Sequence, residues 1–377
     1  MKVFFLFLCL SFQLSAQEIT PTEAFNQSLV FADDLQFENM DTAIERQLKS
    51  YKQMGLDGTI QFGNTVYPRT VLKDSLLLLQ KIFTEVRSCL KSNPEKACLD
   101  FLNKEVNKKF SFFRPVPGKD EQGYGKYKTR FTSYYSPDFN GSRVRTDRFT
   151  RPIYRTPDNE LDKRATRVEI DFHGALAGKG YEILWVEESF YELYLLHVQG
   201  GGRIKIHAAD GSYETKYLSY DSGNGQPFQM LYKYMVEKGY IKIGSIPNQR
   251  KYLAENPHKQ EEIFGICPSY IFFRESDEEP VGVNSIPLTE GRSLAIDIRI
   301  FKTVGLINFV RTVRATGMTT TGTMEKAPFS RFFIAQDTGG AIRGNARCDL
   351  YAGYGQKAEL MAYNMDDLGE QYFLISK

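Results

Sequence analysis

The sequence predicts a mainly β protein with a helical N-terminal part, and three observations carry this. Aromatic residues make up 14% of the 377 residues, with 28 Phe and 22 Tyr against a single Trp, a composition suited to pleated, half-buried surfaces. From Phe110 onward the chain falls into short runs of Phe, Tyr, Val and Ile separated by Gly, Pro, Asn and Asp, the texture of small strands and tight turns. Before Phe110 the apolar residues recur instead every three or four positions, the period of helices. The length admits two or three domains with sizeable cores.

Met1-Lys2, the apolar run Val3 to Leu10 and the small-residue site Leu14-Ser15-Ala16 before Gln17 read as a secretory signal peptide over 1–16. Cys9 raises a lipid anchor as the alternative. Leu8 stands where a small residue is needed and the segment before Cys9 is short, so cleavage after Ala16 is expected. No later run reaches the roughly eighteen apolar residues of a membrane span, so none is expected in the mature chain.

A helix is predicted over Thr42–Met54: Thr42 with Glu45 forms a capping box, Ile44, Leu48 and Tyr51 share a face, and Gly55 ends it. A second runs over Val71–Cys89, with Leu72, Leu76, Leu79, Phe83 and Val86 inward, and a third over Lys96–Val106. Cys89 and Cys98 flank Asn93-Pro94, a helix break that folds them together, so an exported chain is expected to join them in a disulfide. Cys267 and Cys348 are far apart in sequence and are expected free.

Strands follow at 130–137, 152–157, 181–186 and 193–198, the last running into Gly200-Gly201-Gly202. Three glycines permit close backbone approach to a ligand, but no Lys-Ser/Thr follows, which argues against a phosphate loop. A helix over Gln226–Lys238 and two short helices over Pro247–Phe264, broken at Asn256-Pro257, precede strands at 269–275 and 294–297.

Charge and metal-ligand patterns exclude several classes of function. A net charge of +2 with both signs mixed throughout gives no footprint for nucleic acid. His173, His197, His207 and His258 are scattered, and no Cys or His spacing suggests a metal. Attention falls instead on Ala335 to Gly344 and on Asp349 to Gly355. There the apolar run Phe332-Phe333-Ile334 leads to Asp337 before Thr338-Gly339-Gly340, and Asp349 opens a Gly-punctuated aromatic segment. Such turns can set a carboxylate at a strand end beside a cleft, and they equally suit Asx-type turn hydrogen bonds.

Phe131-Thr132-Ser133-Tyr134-Tyr135-Ser136-Pro137, Pro152-Ile153-Tyr154-Arg155, Gly174-Ala175-Leu176-Ala177-Gly178, Val198-Gln199-Gly200-Gly201-Gly202-Arg203 and Asn224-Gly225 occur in that order. Pro268 to Arg274, Pro287-Leu288-Thr289 and Gly291-Arg292-Ser293-Leu294-Ala295 come next. Together they resemble the bacterial membrane-bound lytic murein transglycosylase A family, and Asp297, Asp337 and Asp349 look like the acids of its closing three-aspartate domain. The resemblance implies a double-psi β-barrel built from both chain ends, a smaller inserted β-domain, and a glycan groove between them. With the composition shifts near Ser136 and Ile241, it divides the chain into helices and first barrel strands (17–136), an inserted β-domain (137–242) and the remainder of the barrel (243–377).

The resemblance also implies cleavage between N-acetylmuramic acid and N-acetylglucosamine in peptidoglycan, giving 1,6-anhydromuramic acid ends, with no cofactor. Asp349 matches the family's catalytic acid and Asp337 its neighbour, either as a nearby charge or as the holder of the turn that aims Asp349. Thr132, Tyr134, Tyr135, Gln199, Gly201, Asn224 and Asp297 fall at groove or supporting positions. The implied setting is the periplasm, at the outer membrane, with glycan strands and other cell-wall enzymes as partners. The chain departs from the family at Gly201, where Ser is usual, at Gly223 (Lys), at Cys267 (Asn), and at Phe301-Lys302-Thr303-Val304-Gly305, where an Ile-Pro-Leu-Gly turn is usual.

Anhydro-ring formation needs only one carboxyl, because the muramic C6 hydroxyl attacks C1 of its own sugar and no water has to be activated. Asp349 would have to start protonated, which calls for burial or a neighbouring negative charge. A glycan-binding protein without catalysis and a hydrolytic glycosidase on the same barrel are the competing readings. The second needs a partner carboxylate across the groove.

Overall fold

The computed structural model describes residues 21–279, 281–318 and 324–377; the expected signal segment 1–16 lies outside them. In chain order the first strands are β1 (Thr22–Phe25), β2 (Thr59–Phe62), β3 (Thr65–Pro68), β4 (Phe110–Pro115) and β5 (Thr129–Ser136). Next come β6 (Asp138–Ser142), β7 (Arg151–Tyr154), β8 (Glu182–Val186), β9 (Gly201–His207), β10 (Tyr213–Gly223) and β11 (Ile271–Ser276). The last are β12 (Ser293–Ala295), β13 (Ile307–Met318), β14 (Met324–Asp337), β15 (Arg347–Tyr354) and β16 (Asp366–Ser376).

Six of these close a barrel in the order β16, β13, β14, β12, β15, β5, with β5 pairing back onto β16. Closure leaves these strands no open edge for stray pairing. β12 runs parallel to β14, β15 runs parallel to β5, and the other neighbours are antiparallel. Strand alternation decides what faces the interior: Phe131, Cys348 and Leu350 join the buried core, so Thr132, Tyr134, Arg347 and Asp349 face the other way.

Helices α1 (Met40–Met54), α2 (Val71–Leu90) and α3 (Glu95–Lys109) share that core, with Ile44, Leu76 and Phe83 in one cluster with Phe332 and Ile334. Cys89 and Cys98 are disulfide-bonded across the α2–α3 turn, and Cys267 and Cys348 are free and buried. α1 begins two residues before the expected Thr42, with left-handed Asn39 at its N-cap and no side-chain cap. The N-terminal hundred residues are not purely helical, since β1 pairs with β4 and β2 with β3. β1, β2 and β3 have only four residues each, too few to declare a period.

β6 to β11 form a second sheet, in the order β11, β10, β9, β6, β8, β7. Its last strand lies beyond residue 242, where the sequence reading returned the chain to the barrel, because β11 pairs with β10. The helices in this stretch are α4 (Glu160–Lys163), α5 (Arg167–Asp171), α6 (Phe190–Gln199), α7 (Leu231–Glu237), α8 (Ile246–Glu255) and α9 (Gln260–Gly265), followed later by α10 (Ile298–Phe301) and α11 (Gly355–Asn364).

The strand expected over 193–198 is helix α6. Its run is apolar at almost every position and carries no period, so its ends decide: the Ser189 hydroxyl accepts from the Glu192 N–H, and Gly200 closes the helix at φ 78°. α7 is shorter than the helix expected over 226–238. Pro227 disfavours helical geometry at the residue before it, and Met230 is still extended.

Candidate active site

Asp349, Ala295 and Asp337 lie side by side on β15, β12 and β14, with Ala295 paired to both acids, and Thr132 on β5 pairs with Asp349 on its other side. At about 4.8 Å per strand the two acids stand some 9–10 Å apart along one wall. The Thr132 hydroxyl donates to Asp349 Oδ1 at 2.5 Å and accepts from Arg347 Nη2 at 2.7 Å. Asp349 Oδ2 has no hydrogen-bond partner among the described residues. Burial raises the Asp349 carboxyl above the usual carboxylate range, while the Thr132 hydrogen bond and the Arg347 charge pull it down.

Asp337 ends β14. Its Oδ2 accepts from the Tyr134 hydroxyl at 2.6 Å and its Oδ1 from the Thr338 N–H at 2.8 Å. Burial pushes its carboxyl up to about 6, the Asp349 charge adds to this, and the Tyr134 and Thr338 hydrogen bonds oppose it. Tyr134 is held protonated by burial first and by the Asp337 charge next. The wall therefore carries two carboxyls that take up protons more readily than ordinary surface acids do.

A cavity of about 260 Å³ opens between this wall and the second sheet. Tyr134, Tyr135 and Asp337 line it from the barrel, and Gln199, Gly201, Ser219, Tyr220 and Arg274 from the facing sheet and α6. Tyr135 is fixed by a 2.5 Å hydroxyl contact with Tyr363. Gln199 is the last residue of α6, so the turn at Gly200 is what delivers it to the cavity. The glycines after it serve strand packing: a Cβ at Gly201 would lie 2.6 Å from the Leu218 carbonyl oxygen, and one at Gly202 would lie 2.8 Å from that of Pro137. No Ser fits at 201 without a shift of β10.

Two expected groove residues are placed elsewhere. Asp297 is fully buried at the start of α10, where it accepts from Arg299 Nε (2.9 Å), Arg299 Nη2 (2.6 Å) and the Gly344 N–H (3.1 Å). The Arg299 hydrogen bonds hold its carboxyl below the usual range against the effect of burial. Asn224 is also buried, donating to the carbonyls of Ala165 and Pro268 and accepting from the Tyr270 N–H. Both acids and amides of this kind are spent internally, so these two residues shape loops and do not face the cavity. Thr132 and Asp349 are not cavity-lining either; they adjoin it through Tyr134 and Asp337. Arg347 escaped the sequence reading, although its place two residues before Asp349 on a strand puts both on one face.

Residues 130–274 match the family model described as the MltA specific insert domain, and residues 292–374 match the 3D domain. The chain is 30% identical over 263 residues to the membrane-bound lytic murein transglycosylase A of Vibrio cholerae serotype O1, covering 68% of this chain and 67% of that one. It is 26% identical over 296 residues to the homolog from Buchnera aphidicola, covering 76% and 74%. Among solved structures, E. coli MltA with bound chitohexaose superposes with a TM-score of 0.69 at 21% identity, covering 94% of each chain, a likeness of fold.

Proposed function

The chain belongs to the membrane-bound lytic murein transglycosylase A family, and from that premise we propose that it cleaves peptidoglycan between N-acetylmuramic acid and N-acetylglucosamine, leaving 1,6-anhydromuramic acid ends. Asp349 is the single acid and base. Its carboxyl proton passes to the glycosidic oxygen of the departing N-acetylglucosamine as the C1–O bond breaks. The C6 hydroxyl oxygen then bonds to C1, and the Asp349 carboxylate takes the hydroxyl proton, which restores the acid. Burial favours the protonated form of Asp349, and Asp337, held by Tyr134, forms the neighbouring wall and takes up a proton more readily because of the Asp349 charge.

The observation that carries this reading over hydrolysis is the composition of the facing wall. Gln199, Gly201, Ser219, Tyr220 and Arg274 line the cavity opposite the acids, and among the described residues Asp337, on the Asp349 side, is the one carboxylate lining it. A hydrolase needs a carboxylate across the substrate to activate water or attack C1. A binding protein, in turn, has no use for a buried carboxyl that disfavours its own charge.

The closed barrel is taken as a double-psi barrel assembled from both ends of the chain, with residues 17–136 supplying the helices and first strands. The second sheet is taken as an inserted domain running from 137 to about Ser276, a boundary supported by the β10–β11 pairing. The site of action is the periplasm, at the outer membrane; among the described residues no helix is long and apolar enough to cross a membrane.

The test is mass analysis of digested sacculi, in which an anhydro end is one water lighter than a hydrolysed end. Asp349→Asn should lower release by at least about 10⁴-fold, the upper range for general acid–base catalysis, while binding to glycan strands survives. Reducing muramic ends from the wild type, or near-normal release by Asp349→Asn, would overturn the assignment.

A further inference from the structure

The second sheet has a cavity of its own, of about 440 Å³, walled by its edge strand β7, by β8, by α5 and by the first turns of α6. α6 connects the two cavities. Gln199 at its end lines the groove and Phe190 at its start lines this one, and nine steps of 1.5 Å put them about 14 Å apart.

The second cavity carries both signs of charge. The half-buried Arg151 guanidinium lies 3.8 Å from the centroid of the Phe190 ring and makes no hydrogen bond or ion pair among the described residues. A half-buried guanidinium that feels the Asp171 charge but is hydrogen-bonded to none of the described residues is a place for an anion. Arg145 adds a second, exposed cation on the rim. Asp171 and Glu182 place carboxylates on the same walls: among the described residues Asp171 is ion-paired to Arg167 at 3.5 Å, hydrogen-bonded to Tyr270 and drawn by the Arg151 charge, and Glu182 accepts from the Gly178 N–H with one oxygen. Trp185, the one Trp of the chain, supplies an aromatic surface beside them.

We propose that this cavity binds the peptide stem of peptidoglycan, seating a stem carboxylate on Arg151 and Arg145, a stem amine against Asp171 and Glu182, and the intervening aliphatic portion on Trp185. Opposed charges around an aromatic floor select a zwitterion; a site for phosphate or an anionic polymer would carry cations alone. The reach agrees, since four extended residues span up to about 14 Å, the length of α6. The proposal takes its ligand from the peptidoglycan reading above, but the cavity is separate from the acid wall, so the two can fail independently.

The single Trp provides the test. The full chain is titrated with the synthetic stem tetrapeptide L-Ala-γ-D-Glu-L-Lys-D-Ala, with its C-terminally amidated and its Nε-acetylated forms, with inorganic phosphate and with chitohexaose, following Trp185 fluorescence. The tetrapeptide should give a saturable change that each modification weakens at least tenfold, and chitohexaose should give none. Arg151→Gln should weaken binding at least tenfold and leave release from peptide-free glycan strands unchanged. Arg151→Lys, which keeps the cation over Phe190, should fall between. Wild-type protein that cleaves sacculi but shows no tetrapeptide response, or that loses the tetrapeptide to phosphate alone, would overturn the proposal. Tetrapeptide binding by a chain that yields no anhydro ends would sink the lytic reading and leave this site standing.

Discussion

Thr132 has one hydroxyl hydrogen to give, and Arg347 decides where it goes. Because the guanidinium donates into the Thr132 oxygen, the hydroxyl hydrogen points at Asp349 Oδ1, and Oδ2 is left as the oxygen that can exchange a proton. Thr132→Val should therefore lower kcat about tenfold, equivalent to ~1.4 kcal/mol, with little change in KM. It should also move the alkaline limb of the pH profile upward, since the lost hydrogen bond had been lowering the Asp349 pKa. Arg347→Met should shift the limb the same way; a limb left in place would reduce both residues to structural supports. Asp337 makes a separate prediction about stability. Burial pushes its carboxyl up to about 6 from an ordinary 3.8, so between those values the folded state holds more protons than the unfolded one. That contribution is fully present below the unfolded value and is lost as pH rises through the folded one. Asp337→Asn should flatten this fall in a melting-temperature series across the window; an unchanged slope would contradict it.

At the scale of elements, the three consecutive glycines are a junction between a helix and a strand. Gly200 takes the left-handed turn that ends α6, and Gly201 and Gly202 let β9 lie tight against the Leu218 and Pro137 carbonyls. Gly201→Ala should cost about 1–3 kcal/mol, the usual range for overpacking, seen as a lower denaturation midpoint. Should Gly201→Ala melt like the wild type, the strand-packing role would be wrong. Cys89–Cys98 does comparable work for α2 and α3, closing a turn of sequence separation 9. Replacing both cysteines by Ala should cost about 2–3 kcal/mol in the chain-entropy model, measurable by urea unfolding. The cavity-facing chemistry should survive that change, because the helices sit away from the acid wall.

For the whole molecule, the N-terminal segment is tied to the barrel by the fully enclosed Arg292–Asp33 ion pair, with Arg331–Asp34 beside it. Arg292 and Asp33 are both fully buried, and Arg292 also donates to the carbonyls of Glu38 and Phe332. Asp33 completes its set by accepting from the N–H groups of Leu35, Phe37 and Phe332. Burial works against the Asp33 charge, but the Arg292 hydrogen bonds and charge outweigh it and leave the carboxyl below its usual range. Asp33→Ala strands a guanidinium in the core and should cost about 3–5 kcal/mol. Denaturant midpoints would show it, and a loss under 1 kcal/mol would mean that water reaches Arg292.

Much of this was legible from neighbours in sequence. Helices α1 to α3, the break at Asn256-Pro257 and the Cys89–Cys98 pairing depend on spacing within a few turns, and the ordered motifs around Tyr134, Gln199 and Asp349 carried the family. Tertiary packing decided the rest, joined at α6 by the local caps. The α6 run has no period to read, so its state depended on the caps at Ser189 and Gly200 and on the apolar surroundings of both its faces. Asp297 and Asn224 read like groove residues until burial showed their hydrogen bonds spent on Arg299 and on loop carbonyls. The site itself is a matter of register: Asp337, Ala295, Asp349 and Thr132 come from four strands, and only barrel closure sets them in one row. A strand's own residues specify which of its faces is apolar, whereas the neighbour lying opposite each residue is settled by how distant segments pair.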